Sequence, residues 1–274
     1  MAVCARRFVV SRSPWARGSV AVVLAAGLTA TLIWAGPLTD QGTQPGLSNP
    51  MLTPNDCAGC HADYDGANNI EPSNTWAGSM MAQAGRDPLF WAALDVANND
   101  LPDVGDFCLR CHAPTAWLAG RSEPPGGSTD GCSLEGKLDE TGKDFDGITC
   151  HLCHRMMVNS NPPTGEEPVY FENGQFWLDD SDCGGEGEPC RRGPYQYPQD
   201  GSEPPPHAWA FSQYLEDSDN CGNCHNVTNP VKTLIQDGVD TGVPFPIERT
   251  YAEWLSSEYS DPGSPEFRTC QNCH

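Results

Sequence analysis

Five pentapeptides in this 274-residue chain share one pattern: two cysteines three positions apart and a histidine directly after the second. They begin at residues 57, 108, 150, 221 and 270, and they contain ten of the 14 cysteines and five of the seven histidines. This is the attachment pattern of c-type haem. On one helical turn it presents two thiols to the two vinyl groups of a haem, while the adjacent imidazole reaches the iron.

The sequence therefore predicts five covalently bound c-type haems. The thioether cysteines would be Cys57, Cys60, Cys108, Cys111, Cys150, Cys153, Cys221, Cys224, Cys270 and Cys273. The proximal iron ligands would be His61, His112, His154, His225 and His274. Disulfide bonds and a zinc site are the other interpretations of paired cysteines, but neither needs a histidine after every second cysteine.

The distal iron ligands decide between two functions, because an iron with two protein ligands transfers electrons whereas an open iron transforms a small molecule. Only His151 and His207 lie outside the five proximal positions. We predict His207 as a distal ligand. His151 either reaches a neighbouring haem or faces solvent. Met80 and Met81 are further distal candidates, with core packing as the alternative role of a methionine.

Residues 1–36 have the pattern of an export segment. Arg6, Arg7, Arg12 and Arg17 precede a charge-free, mostly apolar run at 20–35. This segment is either a cleaved signal peptide or a signal anchor, and the rest of the chain is expected in the periplasm, at the cell surface or outside the cell. Residues 1–36 hold four of the 15 basic and none of the 37 acidic residues, so the remainder carries a formal charge of −26. That charge excludes nucleic acid as a partner.

Because only 38% of the chain is hydrophobic, we expect a haem-centred core, and since helix signals outnumber strand signals, we expect a mainly α, loop-rich fold with little or no sheet. We expect a three-haem part at 37–158, a Pro/Gly/acid-rich insertion at 159–206 and a two-haem part at 207–274. Helices are predicted at 75–84, 89–97, 207–215 and from Thr250, and a hairpin from 169–171 and 175–178. In an oxidising compartment Cys183 is expected to pair with Cys190, the alternative being a pairing of either with Cys132.

The segment Thr75-Trp76-Ala77-Gly78-Ser79-Met80-Met81-Ala82 resembles the Trp-x-x-Ser-x-x-Ala segment of multihaem c-type cytochromes related to tetrahaem cytochrome c of nitrifiers, hydroxylamine oxidoreductase and octahaem cytochromes. The stretches around the second, third and last haem motifs are similar to the same group. In such proteins a histidine beside the serine is often the distal ligand, and Met80 occupies that region here. The resemblance implies a multihaem cytochrome and does not select one activity.

We expect an electron carrier that serves other haem proteins or redox partners with a basic docking face. An alternative is an enzyme that acts on nitrite or hydroxylamine at one open haem. The Cys-x-x-Cys-Lys motif of nitrite reductases is absent, whereas Tyr64, Tyr214 and Tyr251 leave hydroxylamine oxidation open. A second alternative is a subunit of an extracellular cytochrome filament. Because the chain stops at His274 and chain ends fray unless tied down, we expect further sequence beyond it.

Overall fold

The computed structural model describes residues 41–64, 66, 70–101, 104–122, 138, 144–167, 169–183, 187–198 and 203–274. The predicted export segment and Cys132 lie outside these residues. Residues 37–274 form one compact unit. Of the described residues, 38% are helical and 15% are in strands. None of the helices within the described ranges is long and apolar enough to cross a membrane.

The helices are short. They are α1 (Pro54–His61), α2 (Pro72–Ala77), α3 (Met80–Gln83), α4 (Pro88–Asp100), α5 (Gly105–His112), α6 (Pro114–Leu118), α7 (Cys150–Arg155), α8 (Ser218–Gly222) and α9 (Thr250–Leu255). Turns of 3₁₀ helix occupy Ala84–Arg86, Asp144–Asp146, Gln213–Glu216, Glu258–Ser260 and Cys270–Asn272. Three of the five pentapeptides lie on α-helix as expected, in α1, α5 and α7, whereas the fourth begins at the end of α8 and the fifth at the last 3₁₀ turn.

Six strands form three separate two-stranded sheets. They are β1 (Met156–Met157), β2 (Trp177–Leu178), β3 (Arg191–Gly193), β4 (Trp209–Phe211), β5 (Val227–Gln236) and β6 (Val239–Glu248). β1 pairs antiparallel with β2, β3 parallel with β4, and β5 antiparallel with β6. The loop-rich chain and the short sheets agree with the expected fold in part, but β5 and β6, at ten residues each, form more sheet than the sequence predicts.

The α4 prediction is confirmed, and its start follows the expected chemistry. The Asp87 carboxylate accepts a hydrogen bond of 2.9 Å from the N–H of Leu89, and Pro88 takes the first helical position. The α9 helix is also confirmed. The continuous helix at 75–84 is wrong, because the chain leaves helical geometry at Ser79, whose hydroxyl accepts from the N–H of Ala82 and starts α3.

Two predicted elements are replaced by strand pairing. Residues 207–215 hold β4 and a 3₁₀ turn rather than a helix, since Trp209 and Ala210 align with Arg191 and Arg192 of β3. The hairpin of 169–171 with 175–178 does not form. Its second half pairs instead with the residues that follow the third haem motif, with Met156 opposite Leu178.

The core lies between the second and third haem motifs and is made of buried apolar side chains from α4 to α7 together with β2. Its fully buried members include Leu94, Leu109, Trp117, Leu118, Leu152, Phe176 and Leu178. Two of these, Phe176 and Leu178, come from the loop-rich segment 159–206, which thereby packs into the shared core. The predicted disulfide bond between Cys183 and Cys190 is confirmed, and it lies directly before β3.

Candidate haem-attachment sites

The ten motif cysteines are all free thiols, and eight of them are only partly buried. In the first three motifs both cysteines and the histidine lie on one short helix, whereas in the last two the second cysteine and the histidine follow just after a short helix or 3₁₀ turn. All five motif imidazoles are exposed. The donor set of each site, two reachable thiols and one accessible imidazole, fits the chemistry of a covalently tethered haem. Among the residues that the structure describes, no three His, Cys, Asp or Glu side chains converge as a metal-ion cluster.

Thiols of different motifs contact one another. Hydrogen bonds join Cys57 to Cys150, Cys111 to Cys224 and Cys221 to Cys270. The bond with Cys150 lowers the pKa of Cys57 to about 7, while burial raises the pKa of Cys108 to about 11. The first motif therefore adjoins the third, the second adjoins the fourth, and the fourth adjoins the fifth.

Gly174 lies between the second and fourth motifs. Its N–H donates to the carbonyl oxygen of Asn223, inside the fourth motif, at 2.6 Å. A Cβ atom on Gly174 would stand 3.2 Å from the Sγ of Cys111 and 3.1 Å from the side chain of Arg110. With a φ of +67°, this position has both the conformation and the close approach that favour glycine.

His154 has its ring orientation fixed by the chain. Its Nδ1 lies 2.7 Å from the carbonyl oxygen of Arg192, and because a carbonyl only accepts, Nδ1 carries the proton. The lone pair of the neutral ring is then on Nε2, as an iron ligand requires. Arg192 is on β3, so the Cys183–Cys190 segment that precedes this strand supports the third site. No pattern in the sequence predicts this contact.

His112 is held differently. Its ring stacks on Phe90 of α4, with the two ring centroids 4.2 Å apart and the planes 5° from parallel. The helix that carries Phe90 packs against α5, which bears the second motif. Aromatic stacking on a core-facing helix therefore sets the plane of this imidazole.

The two spare histidines differ in the nitrogen that is free. His207 Nδ1 donates to the carbonyl oxygen of Ala208 at 3.1 Å, which leaves the lone pair on Nε2. His207 also interacts electrostatically with His154, since the β3–β4 pairing brings the start of β4 beside the strand that holds His154. The structure thus places the distal candidate His207 near one predicted proximal ligand.

His151 shows the opposite arrangement. Its Nδ1 accepts a hydrogen bond of 2.8 Å from the main-chain N–H of Leu52, so the proton of the neutral ring is on Nε2. The ring is 2% exposed, and its Nε2 has no hydrogen-bond partner among the described residues. Burial, together with the positive charges of Arg155 and Arg191, lowers the pKa of His151 to about 3. A neutral imidazole with Nε2 protonated offers no lone pair to an iron.

The methionine candidates lie on α3, where Met80 is 84% exposed and Met81 is 50% exposed. Their segment is hydrogen-bonded to Ile148, which lies two residues before the third motif. The indole N–H of Trp76 donates to the carbonyl oxygen of Ile148 at 2.6 Å, and the N–H of Ile148 donates to that of Met81 at 3.0 Å. The Thr75–Ala82 segment is thereby brought to the entrance of α7.

The tyrosines that left hydroxylamine chemistry open fall into two groups. Tyr64 is exposed, whereas Tyr214 and Tyr251 are buried. The Tyr214 hydroxyl accepts a hydrogen bond of 2.9 Å from Asn223, and the Tyr251 hydroxyl donates to the carboxylate of Asp219. Burial raises the pKa of both phenols. The two buried phenols are therefore protonated, and they are hydrogen-bonded to residues within or just before the fourth motif.

Two buried arginines, one directly after the third motif and one inside the second, are not predicted from the sequence. Arg155 follows His154 and donates to the carbonyl oxygens of Asp179 and Asn49 and to the carboxylate of Asp180, each at 2.8 Å. Arg110, inside the second motif, lies 4.5 Å from the Trp117 ring centroid. From sequence alone an arginine is expected to be an exposed charge. Its burial and its hydrogen bonds become predictable only when its partners are known.

Comparison of the chain with protein-family models, with curated proteins and with solved structures finds no match. The class of the protein therefore has to be inferred from its own residues.

Proposed function

We propose that this protein is a multihaem c-type cytochrome, and more specifically an exported electron carrier with five covalently attached haems. The observation that carries the proposal is the fivefold repetition of two free thiols and one accessible imidazole at a short helix or turn. Haem iron supplies one-electron transfer when it is bound.

The chain's own residues have three tasks in this function. The cysteine pairs attach the haems covalently. The proximal ligands of the haem irons are the imidazoles of His61, His112, His154, His225 and His274. Arg192 and Phe90 orient two of these rings through a carbonyl acceptor and a stacked ring. The thiol contacts between motifs keep the haem-attachment points adjacent. Neighbouring haems would then be close enough for electrons to hop directly from one to the next.

We propose His207 as the distal ligand of the third site, because it interacts electrostatically with His154 and its Nε2 keeps the lone pair. Met80 and Met81 remain candidates for one other iron, since they are exposed beside the entrance of the third motif. The hydroxyls of Tyr214 and Tyr251 are engaged by Asn223 and Asp219, which argues against these two tyrosines in hydroxylamine oxidation and leaves the exposed Tyr64 as the remaining candidate for that activity.

Haem content tests this function directly. The denatured protein should retain its haem stain, and its intact mass should exceed that of the polypeptide by five haems. A variant with Cys221→Ser and Cys224→Ser should lose one haem and keep four. Loss of all colour in acid acetone would show that no haem is covalently bound and would end the proposal.

Steady-state assays separate the carrier from the enzyme. Small-molecule reductants should reduce all five haems, while nitrite and hydroxylamine should turn over only at a slow background rate. Rapid turnover of either compound, abolished in the variant with Cys221→Ser and Cys224→Ser or an equivalent loss of one haem, would assign the protein to the oxidoreductases instead.

A further inference from the structure

The hairpin of β5 and β6 is the longest strand pair in the described chain, and it stands almost entirely in solvent. It turns at Asp237-Gly238, where both residues have positive φ, as in a type I′ turn. Its base is fixed, because Thr228 is buried and its N–H donates to the side-chain oxygen of Asn173 at 2.9 Å. From Pro230 to Ile247 no residue is buried.

This ribbon exposes six large apolar side chains, each 45% to 66% accessible: Val231, Ile235, Val239, Val243, Phe245 and Ile247. Three of them, Val243, Phe245 and Ile247, alternate along β6 and so share one face. The seven residues at 241–247 carry no charge, in a chain whose formal net charge is −22. An isolated two-stranded hairpin is only marginally stable in water, so this ribbon is expected to gain stability from a covering surface.

The edges of the ribbon are poor sites for adding a strand. Pro230 on β5, and Pro244 and Pro246 on β6, have no N–H to donate, and prolines on edges block β-pairing. A partner must therefore bind to a face of the ribbon. Because the apolar face of β6 carries no acidic residue, it offers nothing specific to a basic partner, and its chemistry is complementary to another uncharged apolar face.

We propose that a second copy of this chain covers the ribbon, in a closed two-fold dimer that packs the two β6 faces against each other. On the shared face, Val239, Val243, Phe245 and Ile247 of β6 expose on the order of 350 Å² of apolar surface, whereas Ile235 is paired with Asp240 and lies on the other face. A stable interface buries about 800 Å² per partner, of which about 65% is apolar in homodimers. The β6 face supplies the larger part of the roughly 500 Å² of apolar area that each partner of such a dimer buries. The dimer does not depend on the haem content proposed above.

Sedimentation equilibrium of the purified, exported protein tests the dimer, with Phe245→Lys as the disrupting variant. Leu89→Lys is the matched control, because Leu89 is exposed on α4, away from the ribbon. The parent and the control should fit a monomer–dimer equilibrium with the same dissociation constant. Phe245→Lys should weaken dimerisation at least about tenfold, since it places a charge at the centre of the interface.

A second variant, Val243→Lys, should give the same result, and an unchanged visible and far-ultraviolet spectrum would show that the variants fold. A parent protein that is monomeric at all concentrations would overturn the proposal. So would a dimer that Phe245→Lys and Val243→Lys leave intact, or an assembly that grows without limit with concentration, which is the behaviour of a filament subunit.

Discussion

A Cβ atom on Gly147 would overlap the carbonyl oxygen of Met81. The same carbonyl accepts a hydrogen bond of 3.0 Å from the N–H of Ile148. The two backbone segments therefore meet with no space for a side chain at residue 147. Gly147 also has a φ of +63°, in the left-handed region that L-residues rarely adopt. The approach of α3 to the third haem motif therefore depends on this glycine.

Gly147→Ala should lower the free energy of unfolding by about 3 kcal/mol, from backbone strain and steric overlap together. Gly120→Ala is the matched control, because Gly120 has a φ of +72° but has open space around its missing Cβ. The control should cost about 1 kcal/mol, from strain alone. Urea unfolding followed by circular dichroism measures both, and equal losses would contradict the close approach at Gly147.

His207→Asn and His151→Asn should have opposite effects on iron coordination. Asparagine keeps a polar atom near the position of Nδ1 and deletes Nε2 in both cases. His207→Asn should convert one low-spin haem to high spin, since Nε2 of His207 holds the free lone pair. His151→Asn should leave every haem in its parent spin state, because Nδ1 of His151 is engaged by Leu52.

Electron paramagnetic resonance of the oxidised protein counts the low-spin and high-spin irons in both variants. A new high-spin signal in His151→Asn would assign His151 as an axial ligand and reverse the tautomer derived from the Leu52 contact. An unchanged spectrum of His207→Asn would make His207 a surface residue.

Arg155→Met should lower the free energy of unfolding by about 3 kcal/mol or more. The substitution leaves the carbonyl oxygens of Asn49 and Asp179 without their donor and Asp180 without its positive partner. Arg268→Met is a suitable control, because the hydrogen bonds of Arg268 are exposed. Its loss should stay within about 0.5 kcal/mol. Matching unfolding curves for the two variants would show that the Arg155 contacts add nothing.

Stability should decrease as pH falls from about 6.5 towards 3, because His151 has its pKa lowered to about 3 in the folded protein. Over this interval the unfolded chain binds a proton that the folded chain does not, so acid favours unfolding. The free energy of unfolding should be highest above pH 6.5. In His151→Asn, this part of the pH dependence should be absent, whereas an unchanged slope would locate the titrating group elsewhere.

The haem motifs, α4, α9 and the Cys183–Cys190 bond follow from local chemistry, and that is why the sequence predicts them. Each depends on residues that are close in the chain: a pentapeptide, an Asp-Pro cap, or two cysteines seven residues apart. The orientation of the His154 ring depends instead on Arg192, 38 positions away. No periodicity or spacing encodes such a contact.

The β5–β6 hairpin was missed although the signal was present. Asp237-Gly238 lies between strand-forming residues at 233–236 and Val239, and such a pair is the strongest short-range sign of a hairpin. Prolines at 230, 244 and 246 argue against a strand in a central position but not at an edge, and both strands here are edges. The failed helix at 207–215 has a related cause, since pairing with β3 overrides the local pattern.

The bonds that surround α7 join residues far apart in the chain. Arg155 reaches back 106 positions to Asn49, and His151 reaches 99 positions to Leu52. Contacts of such long range make folding slow, because a large loop must close before they form. In a chain that emerges N-terminus first, the bonds that hold Asn49 and Leu52 beside α7 cannot form until residue 155 has followed. Under the proposed haem attachment, the first pair of thiols would therefore be accessible before the third motif packs against it.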